Sequence, residues 1–199
     1  MCQLKVAQKS YCELKNCNYI HTGHLLSWLG FTNYFMKNYL VLIVFFVGVS
    51  CHGQSYLKPN EKIILSFQTI NNKLIYLVKD AANKYICYRF GTKDKVEFEY
   101  PLVEKDSWKK FKYSYYLRGG GTSNEGMDLN YVYFTNNGYQ YVIYHTYFAD
   151  GDKSNVGIKV IDLKTPKTTD IKGTDKTRKG TLIDFRDNNL LEIGDELFD

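Results

Sequence analysis

The sequence contains few of the residues from which metal centres, disulfide frameworks and nucleophilic active sites are built. Its 199 residues include 5 cysteines and 4 histidines, and after Gln54 only Cys87 and His145 remain. A single thiol cannot form an intramolecular disulfide unless Cys51 remains available as its partner. We therefore expect the chain after residue 53 to be stabilised by its apolar core, and we predict no metal site and no cofactor.

The sequence also lacks an apolar run long enough for a comfortable transmembrane helix, which requires about 20 residues. The run from Leu40 to Val49 contains ten residues, follows the basic start Met36-Lys37 and precedes small and polar residues. A short apolar run with these flanks is typical of an export signal. Residues 36–53 are therefore predicted to be a signal peptide with a signal helix.

Two ways of processing this signal remain open. Cleavage after Gly53 would leave Gln54 at the new N-terminus. Alternatively, Cys51 would be lipidated, because Val49-Ser50-Cys51 resembles the end of a lipobox, although Gly48 stands where a branched aliphatic residue is preferred. The predicted location is periplasmic, secreted or outer-membrane lipoprotein, with membrane contact only through the signal or a lipid anchor.

The first 35 residues do not fit an export signal, and we predict that they are a mis-annotated or disordered extension before a start at Met36. Cysteines and histidines in this stretch superficially resemble a set of zinc ligands, since thiolate and imidazole suit tetrahedral zinc. Their spacing, Cys12-x4-Cys17-x3-His21-x2-His24, matches no common zinc finger. No metal site is predicted here either.

Charge gives no indication of a nucleic-acid ligand. The formal net charge of the whole chain is +5, but residues 54–199 hold 22 basic and 20 acidic residues, which leaves +2. Nucleic-acid binding usually needs a concentrated basic patch. The sequence therefore predicts no nucleic-acid partner.

From residue 62 onward, short apolar and aromatic runs alternate with turn residues, which is the pattern of antiparallel β structure. The strongest local feature is a hairpin around Asn137-Gly138, because Asn-Gly supplies the positive φ angles of a tight turn. Strands are predicted over residues 62–69, 74–79, 85–90, 95–100, 111–117, 129–134, 139–144 and 156–163.

The remaining segments are less regular. A short helix is expected around Trp108, residues 164–179 read as a long loop or a frayed edge, and residues 181–185 read as a last strand. Residues 190–193 fit either a strand or one helical turn. The predicted fold is all-β: residues 54–199 form a single domain, an antiparallel meander of about 7–9 strands that closes into a small barrel or sandwich.

One stretch carries a resemblance. Residues 85–91 read Tyr-x-x-Tyr-Arg-Phe-Gly, and residues 96–101 read Val-Glu-Phe-Glu-Tyr-Pro. This pair of motifs resembles a group of small, uncharacterised exported bacterial proteins, and the resemblance covers most of residues 73–148. The end of the signal, Cys51-His52-Gly53-Gln54, looks like those of Bacteroidetes envelope proteins. The resemblance implies a shared exported β fold and brings no activity with it.

Tyrosine is abundant, and it suggests a binding surface. The chain has 18 tyrosines, of which nine lie in residues 111–148. Outward tyrosines beside basic residues offer a large rigid contact area with polar tips. We predict a platform that binds an envelope protein or a glycan, with the protein slightly favoured. An inhibitor or immunity-like role would fit the size. Its predicted residues are Lys110, Lys112, Tyr116 and Arg118.

The alternative class is an enzyme. Glu97 and Glu99 share one strand face, and paired carboxylates serve a glycan hydrolase when their environments separate their pKa values. Cys87 and His145 are the only thiol and imidazole available for a nucleophile–base pair after the signal. Both pairs also fit structural roles, a charge-paired strand face and a buried core, respectively.

Two loops resemble ligand sites only weakly. Residues 150–155 place oxygens at positions 1, 3 and 5 of a calcium-like loop, but position 12 is Ile161 and position 6 is Asn155. The glycines of residues 119–121 offer backbone amides to an anion but lack the Lys-Ser/Thr that follows in a phosphate loop. A polar turn and a loop that rims a ligand site are the simpler interpretations.

Overall fold

The computed structural model describes residues 56–198, and the predicted signal peptide, Cys51 and the extension before Met36 lie outside them. The strands are β1 Glu61–Thr69, β2 Leu74–Asp80, β3 Ile86–Thr92, β4 Lys95–Tyr100, β5 Lys112–Arg118, β6 Met127–Asn136, β7 Tyr139–Phe148, β8 Lys153–Asp162, β9 Thr168–Gly180 and β10 Glu192–Ile193. Three 3-10 turns separate some of them: η1 Ser107–Lys110, η2 Gly121–Asn124 and η3 Ile183–Arg186.

All ten strands belong to one sheet in the order β10-β5-β6-β7-β8-β9-β1-β2-β3-β4. Neighbours pair antiparallel, except that β10 runs parallel to β5. The sheet curls into a half-barrel. The all-β, antiparallel prediction is confirmed, with ten strands where the pattern predicted 7–9. Within residues 56–198 no helix is both long and apolar enough to cross a membrane.

Strand β9 is the clearest difference from the sequence prediction, which gives residues 164–179 as a long loop or a frayed edge. It is 13 residues long and lies between β8 and β1. Every second residue from Thr169 to Asp175 is half-buried, but Ile171 is the only large apolar side chain of the strand. Tertiary pairing on both sides stabilises a strand whose composition is polar.

The less regular segments match the prediction in part. Residues 181–185 do not form a last strand; they lead into η3, which buries Phe185. Residues 192–193 form the short β10, which is one of the two expected possibilities. The short helix expected at Trp108 is present as η1.

The core fills the inner face of the curled sheet. Leu65, Leu77 and Ile143 are fully buried there. Aromatic rings from the edge strand β4 cross to the middle strands: Tyr100 stacks on Phe134 at 4.3 Å between ring centroids. Such stacked pairs add about 0.5–1.5 kcal/mol beyond burial. These rings therefore hold the two halves of the sheet together.

Strand β5 alternates as the sequence predicts. Tyr113, and Phe111 immediately before the strand, are buried in the inner core. Lys112, Ser114 and Tyr116 point to the other side, which we call the outer face. This alternation places the predicted platform on the outer face.

Candidate functional site

Three of the four predicted platform residues lie on the outer face of β5. Tyr116 is 39% exposed. The Lys112 Nζ lies 3.1 Å from a Glu192 carboxylate oxygen, and the Arg118 guanidinium donates to the Glu125 carbonyl at 2.8 Å. Lys110 is the exposed last residue of η1 and does not belong to the strand. Arg118 also lies 3.3 Å from a Glu125 carboxylate oxygen. Three platform residues therefore share one strand, and two of them already have carboxylate partners.

The sheet register extends this platform across the outer face. Tyr116 lies opposite Leu129, which lies opposite Thr146, and Thr146 faces Asn155. In the next row, Ser114, Tyr131, Tyr144, Gly157 and Lys172 follow one another. The outer face of β6 and β7 is thus aromatic, and Tyr116 stands at its margin.

A cleft opens where β8 and β9 separate. Their pairing ends at Gly157 and Lys172, and the next β9 residue, Gly173, pairs with Thr69 of β1. The opening has a volume of about 570 Å³. We call it the split cleft. Its lining is aromatic and charged and includes Tyr131, Tyr144, Phe148, Lys159, Asp170, Lys172 and Asp175.

Tyr144 is held firmly at the base of the split cleft. Its hydroxyl donates to the Asp170 carboxylate at 2.9 Å, and the Lys159 ammonium lies 5.8 Å from its ring centroid. Burial, and then the hydrogen bond to Asp170, raise the pKa of Tyr144. The ring lies over Gly157, where any Cβ would overlap with it. The glycine therefore makes room for the tyrosine.

The segment Gly194–Phe198 reaches the same surface from the other side. The Phe198 ring contacts Tyr131 and Tyr133, with centroids 5.5 and 5.0 Å apart. Tyr133 donates its hydroxyl proton to Glu196, and Lys159 donates to the Phe198 carbonyl. Burial, and then the bond to Glu196, raise the pKa of Tyr133. Phe198 is also part of the lining of the split cleft.

The inner face carries a polar network at one end. The Tyr113 hydroxyl donates to the Asn130 side-chain oxygen at 2.6 Å, and Arg186 donates to the same oxygen at 2.8 Å. Arg186 also donates to Asp128, and its guanidinium lies 4.8 Å from the Tyr115 ring centroid. The network fastens η3 to the sheet.

His145 lies beside this network on the inner face and is 8% exposed. Its Nδ1 has no hydrogen-bond partner within residues 56–198. Burial, and then the nearby Arg178 charge, lower the pKa of His145 against the opposing effects of Asp175 and Asp128. The imidazole is therefore neutral at pH 7.

The structure does not bring Cys87 and His145 together. Cys87 packs with Val78 and Tyr85 on the outer face of β3, whereas His145 lies on the inner face of β7. Burial raises the pKa of the Cys87 thiol to about 12. A nucleophilic cysteine needs an accessible thiolate, and this one is protonated and enclosed.

Glu97 and Glu99 lie on the outer face and are both ion-paired. The two carboxylate oxygens of Glu97 each lie 2.7 Å from the Lys73 ammonium. Glu99 accepts from Arg89 Nε at 3.1 Å. The expected charge-paired strand face is present, and each carboxylate has a basic partner.

The motif that carries the resemblance fixes the start of the domain. Arg89 binds Glu61 and donates to the Tyr56 carbonyl at 2.9 Å. The Tyr56 hydroxyl in turn donates towards the carbonyl of Thr92 at 2.8 Å. A Cβ on Gly91 would overlap with that hydroxyl and with the Lys95 carbonyl. Arg89 therefore binds Tyr56, in the segment that follows the predicted signal, and Gly91 leaves room for the Tyr56 hydroxyl.

The two weakly ligand-like loops form ordered turns. Asp152 accepts a hydrogen bond from Tyr147 at 3.0 Å, and within residues 56–198 no three acidic, histidine or cysteine side chains group as a metal site would require. The glycine-rich loop forms η2, and Gly126 N–H donates to the Gly121 carbonyl at 2.7 Å. Asn124 closes it with a bond to Gly119 at 2.9 Å.

Sequence reasoning found Tyr116 but missed Lys159, Lys172 and the split cleft. The alternation around Tyr131 and Tyr144 was visible, so the aromatic outer face could have been anticipated. The cleft exists because β9 leaves β8, and β9 itself was not predicted. No local pattern indicates such a separation.

Comparison with known proteins adds no relative. No protein-family model matches the sequence, no curated protein matches it, and no solved structure matches the fold.

Proposed function

We propose that the chain is an exported, non-catalytic binding module of the bacterial envelope that binds a protein partner on its outer face. The apolar segment at residues 36–53 supports export. The observation that supports binding is the split cleft, an opening of about 570 Å³ with aromatic and charged lining. Aromatic side chains with nearby charges are the residues that most often dominate protein interfaces.

The predicted platform and the split cleft lie on the same face of the sheet and in one row of its register. The row runs from Tyr116 through Leu129 and Thr146, which are both buried, to Asn155, which lines the cleft. A partner that contacts both places would span four neighbouring strands. Such a span suits a macromolecule better than a small molecule, because the two contact areas are separate.

The edge of β8 supports a peptide-like contact. Residues 153–156 extend beyond the last β8–β9 pair. Their backbone pairs with β7 on one edge, and no strand within residues 56–198 pairs with the opposite edge. An exposed strand edge binds an extended peptide through main-chain hydrogen bonds, while neighbouring pockets select its side chains. Ser154, Asn155 and Val156 all line the split cleft, so edge and pocket lie side by side.

The test is quantitative affinity capture from envelope extract with the exported protein as bait. Two variants remove the surface: Tyr116→Ala with Arg118→Ala at the platform, and Lys172→Glu in the cleft. Lys93→Glu, an exposed charge change in the β3–β4 turn, is the matched control. We expect both surface variants to lower recovery of the partner by about tenfold or more, which corresponds to about 1.4 kcal/mol.

Equal recovery with all four proteins contradicts the proposal. Treatment of the extract with protease before capture separates the two partner classes. Loss of the captured partner indicates a protein, and persistence indicates a glycan.

A further inference from the structure

The segment Gly194–Phe198 lies on the outer face in the manner of a bound peptide. The Phe198 ring packs against Tyr131 and Tyr133, and the Glu196 carboxylate accepts from the Tyr133 hydroxyl. The Lys159 ammonium donates to the Phe198 carbonyl. The outer face therefore already recognises an aromatic ring, an acidic side chain two residues before it, and one backbone carbonyl.

The receiving residues belong to the rigid sheet. Tyr131, Tyr133 and Tyr144 are buried in the apolar cluster of the outer face, and Tyr144 is fixed by Asp170. Lys159 lies in β8, opposite Val142 and Asp170. A site built on paired strands is preorganised and loses little conformational entropy when a ligand binds.

The segment itself has few backbone anchors. The parallel strand β10 before it pairs through only two residues, Glu192 and Ile193. Gly194 adds one backbone bond to Tyr113, and residues 195–197 are exposed. Segments with few buried contacts open locally at a free energy far below that of global unfolding. We therefore expect this segment to open locally while the sheet remains folded.

We infer that the outer face is a recognition site for an extended acidic-x-aromatic peptide segment, and that Gly194–Phe198 is its built-in competitor. A partner segment with this pattern binds by displacing Phe198 and Glu196 from Tyr133 and Lys159. This inference rests on the proposed function and adds the chemistry of the partner and the regulation of the site. The apparent affinity for the partner equals the intrinsic affinity multiplied by the fraction of molecules in which the segment has left the site.

The probe is a capped, fluorescent peptide with the sequence of residues 194–198, Gly-Asp-Glu-Leu-Phe, and binding is measured by anisotropy on the exported protein. We expect Phe198→Ala in the protein to increase affinity for the probe at least about fivefold, because the internal competitor is weakened. Glu196→Gln is a second variant with a milder change and the same expected direction. Thermal melting of each variant checks that the sheet remains folded.

Two controls define specificity. In the Phe198→Ala protein, Lys159→Ala should weaken probe binding about fivefold or more, whereas Lys93→Ala should leave it unchanged. A probe with its phenylalanine replaced by alanine should lose binding. No binding by the Phe198→Ala protein, or equal binding by both probes, overturns the inference.

Failure here is distinguishable from failure of the proposed function. If envelope capture depends on Tyr116 and Lys172 but the Phe198→Ala protein does not gain affinity for the probe, the module binds a partner of other chemistry. Sedimentation tests a second copy as the source of the segment. A dimer of the unsubstituted protein that dissociates in the Phe198→Ala variant also overturns the inference, because the segment would then serve self-association.

Discussion

Arg89 and Glu61 form a two-point ion pair out of contact with solvent. The Nη1 and Nη2 atoms of Arg89 lie 2.7 and 2.8 Å from the two carboxylate oxygens of Glu61. The side chains are 1% and 0% exposed. Burial by itself would raise the pKa of Glu61, but the hydrogen bonds from Arg89 and the Lys58 N–H lower it below its usual value. The pair therefore remains ionised inside the protein.

The first prediction concerns this pair. Arg89→Met should destabilise the domain by about 3–5 kcal/mol, because the buried Glu61 carboxylate loses its cationic partner and keeps only the neutral donors Lys58 N–H and Tyr85 hydroxyl. Adding Glu61→Gln to that variant should recover part of the loss, since the unpaired charge is removed. Urea unfolding followed by tryptophan fluorescence measures both. Equal stability of the single variant and the unsubstituted protein would show that Glu61 is hydrated or protonated.

The second prediction tests the packing at the cleft. Gly157→Ala places a methyl group against the Tyr144 ring, and we expect a loss of about 1–3 kcal/mol. Combining it with Tyr144→Leu should show a cost smaller than the sum of the two single costs, because the overlap disappears. A double-mutant cycle from thermal melts measures this. If the two single costs are strictly additive, the alanine methyl group does not press on the Tyr144 ring, and the strand has shifted to avoid it.

The third prediction is a dependence of stability on pH through His145. Its folded-state pKa lies below the ordinary value because of burial and Arg178, while Asp128 and Asp175 act in the opposite direction. The unfolded chain therefore binds a proton more readily below pH about 6.5. The contribution of His145 to the free energy of unfolding is fully present above that pH. It decreases as the pH falls, by at most about 1.4 kcal/mol per pH unit.

His145→Gln is the matched variant for this effect. Between pH 7.5 and 5.5 its melting temperature should fall less than that of the unsubstituted protein. Parallel melting curves for the two proteins would contradict the assignment and point to the carboxylates as the source.

The fourth prediction concerns Cys87. Cys87 is 3% exposed, and burial raises the pKa of its thiol to about 12. We expect iodoacetamide to label this residue only after denaturation, as followed by peptide mass spectrometry. Rapid labelling of the native protein would show that the outer face of β2 and β3 opens on a short timescale.

The fifth prediction concerns processing. Intact-mass measurement of the exported protein should show a chain that begins at Gln54 or at a lipidated Cys51. Both outcomes lack the first 35 residues. Arg89 binds the Tyr56 carbonyl in both cases. If Cys51 is lipidated, Tyr56 follows it by five residues and therefore lies within about 18 Å of the lipid attachment point. A mass for the full 199 residues would contradict the export signal.

Much of the fold was predictable because most strands follow from local pattern. The Asn137-Gly138 turn and the alternation on both sides predict the β6–β7 hairpin, and its register runs from Met127↔Phe148 to Asn136↔Tyr139. The sides of Phe111 and Tyr116 also follow from alternation alone. Period-two burial is a property of the backbone, so sequence reveals it wherever one face is apolar.

The site was predictable only in part. Tyr116, Lys112 and Arg118 were chosen from β5 and share one face, but their neighbours on β6 to β8 depend on register across three strands. Lys110 was expected in the same platform and lies in η1, because the chain turns before the strand begins. Residues distant in sequence meet only through the sheet.

The sequence alone determined the all-β class and the faces of the apolar strands, because local alternation and turn chemistry act within a few residues. The tertiary structure decided that the polar segment Thr168–Gly180 is an interior strand. Its composition does not predict a strand, and backbone hydrogen bonds to its neighbours β8 and β1 hold it in the sheet. It also decided where β9 leaves β8 at Gly157, and hence where the split cleft opens. Long-range pairing sets both features.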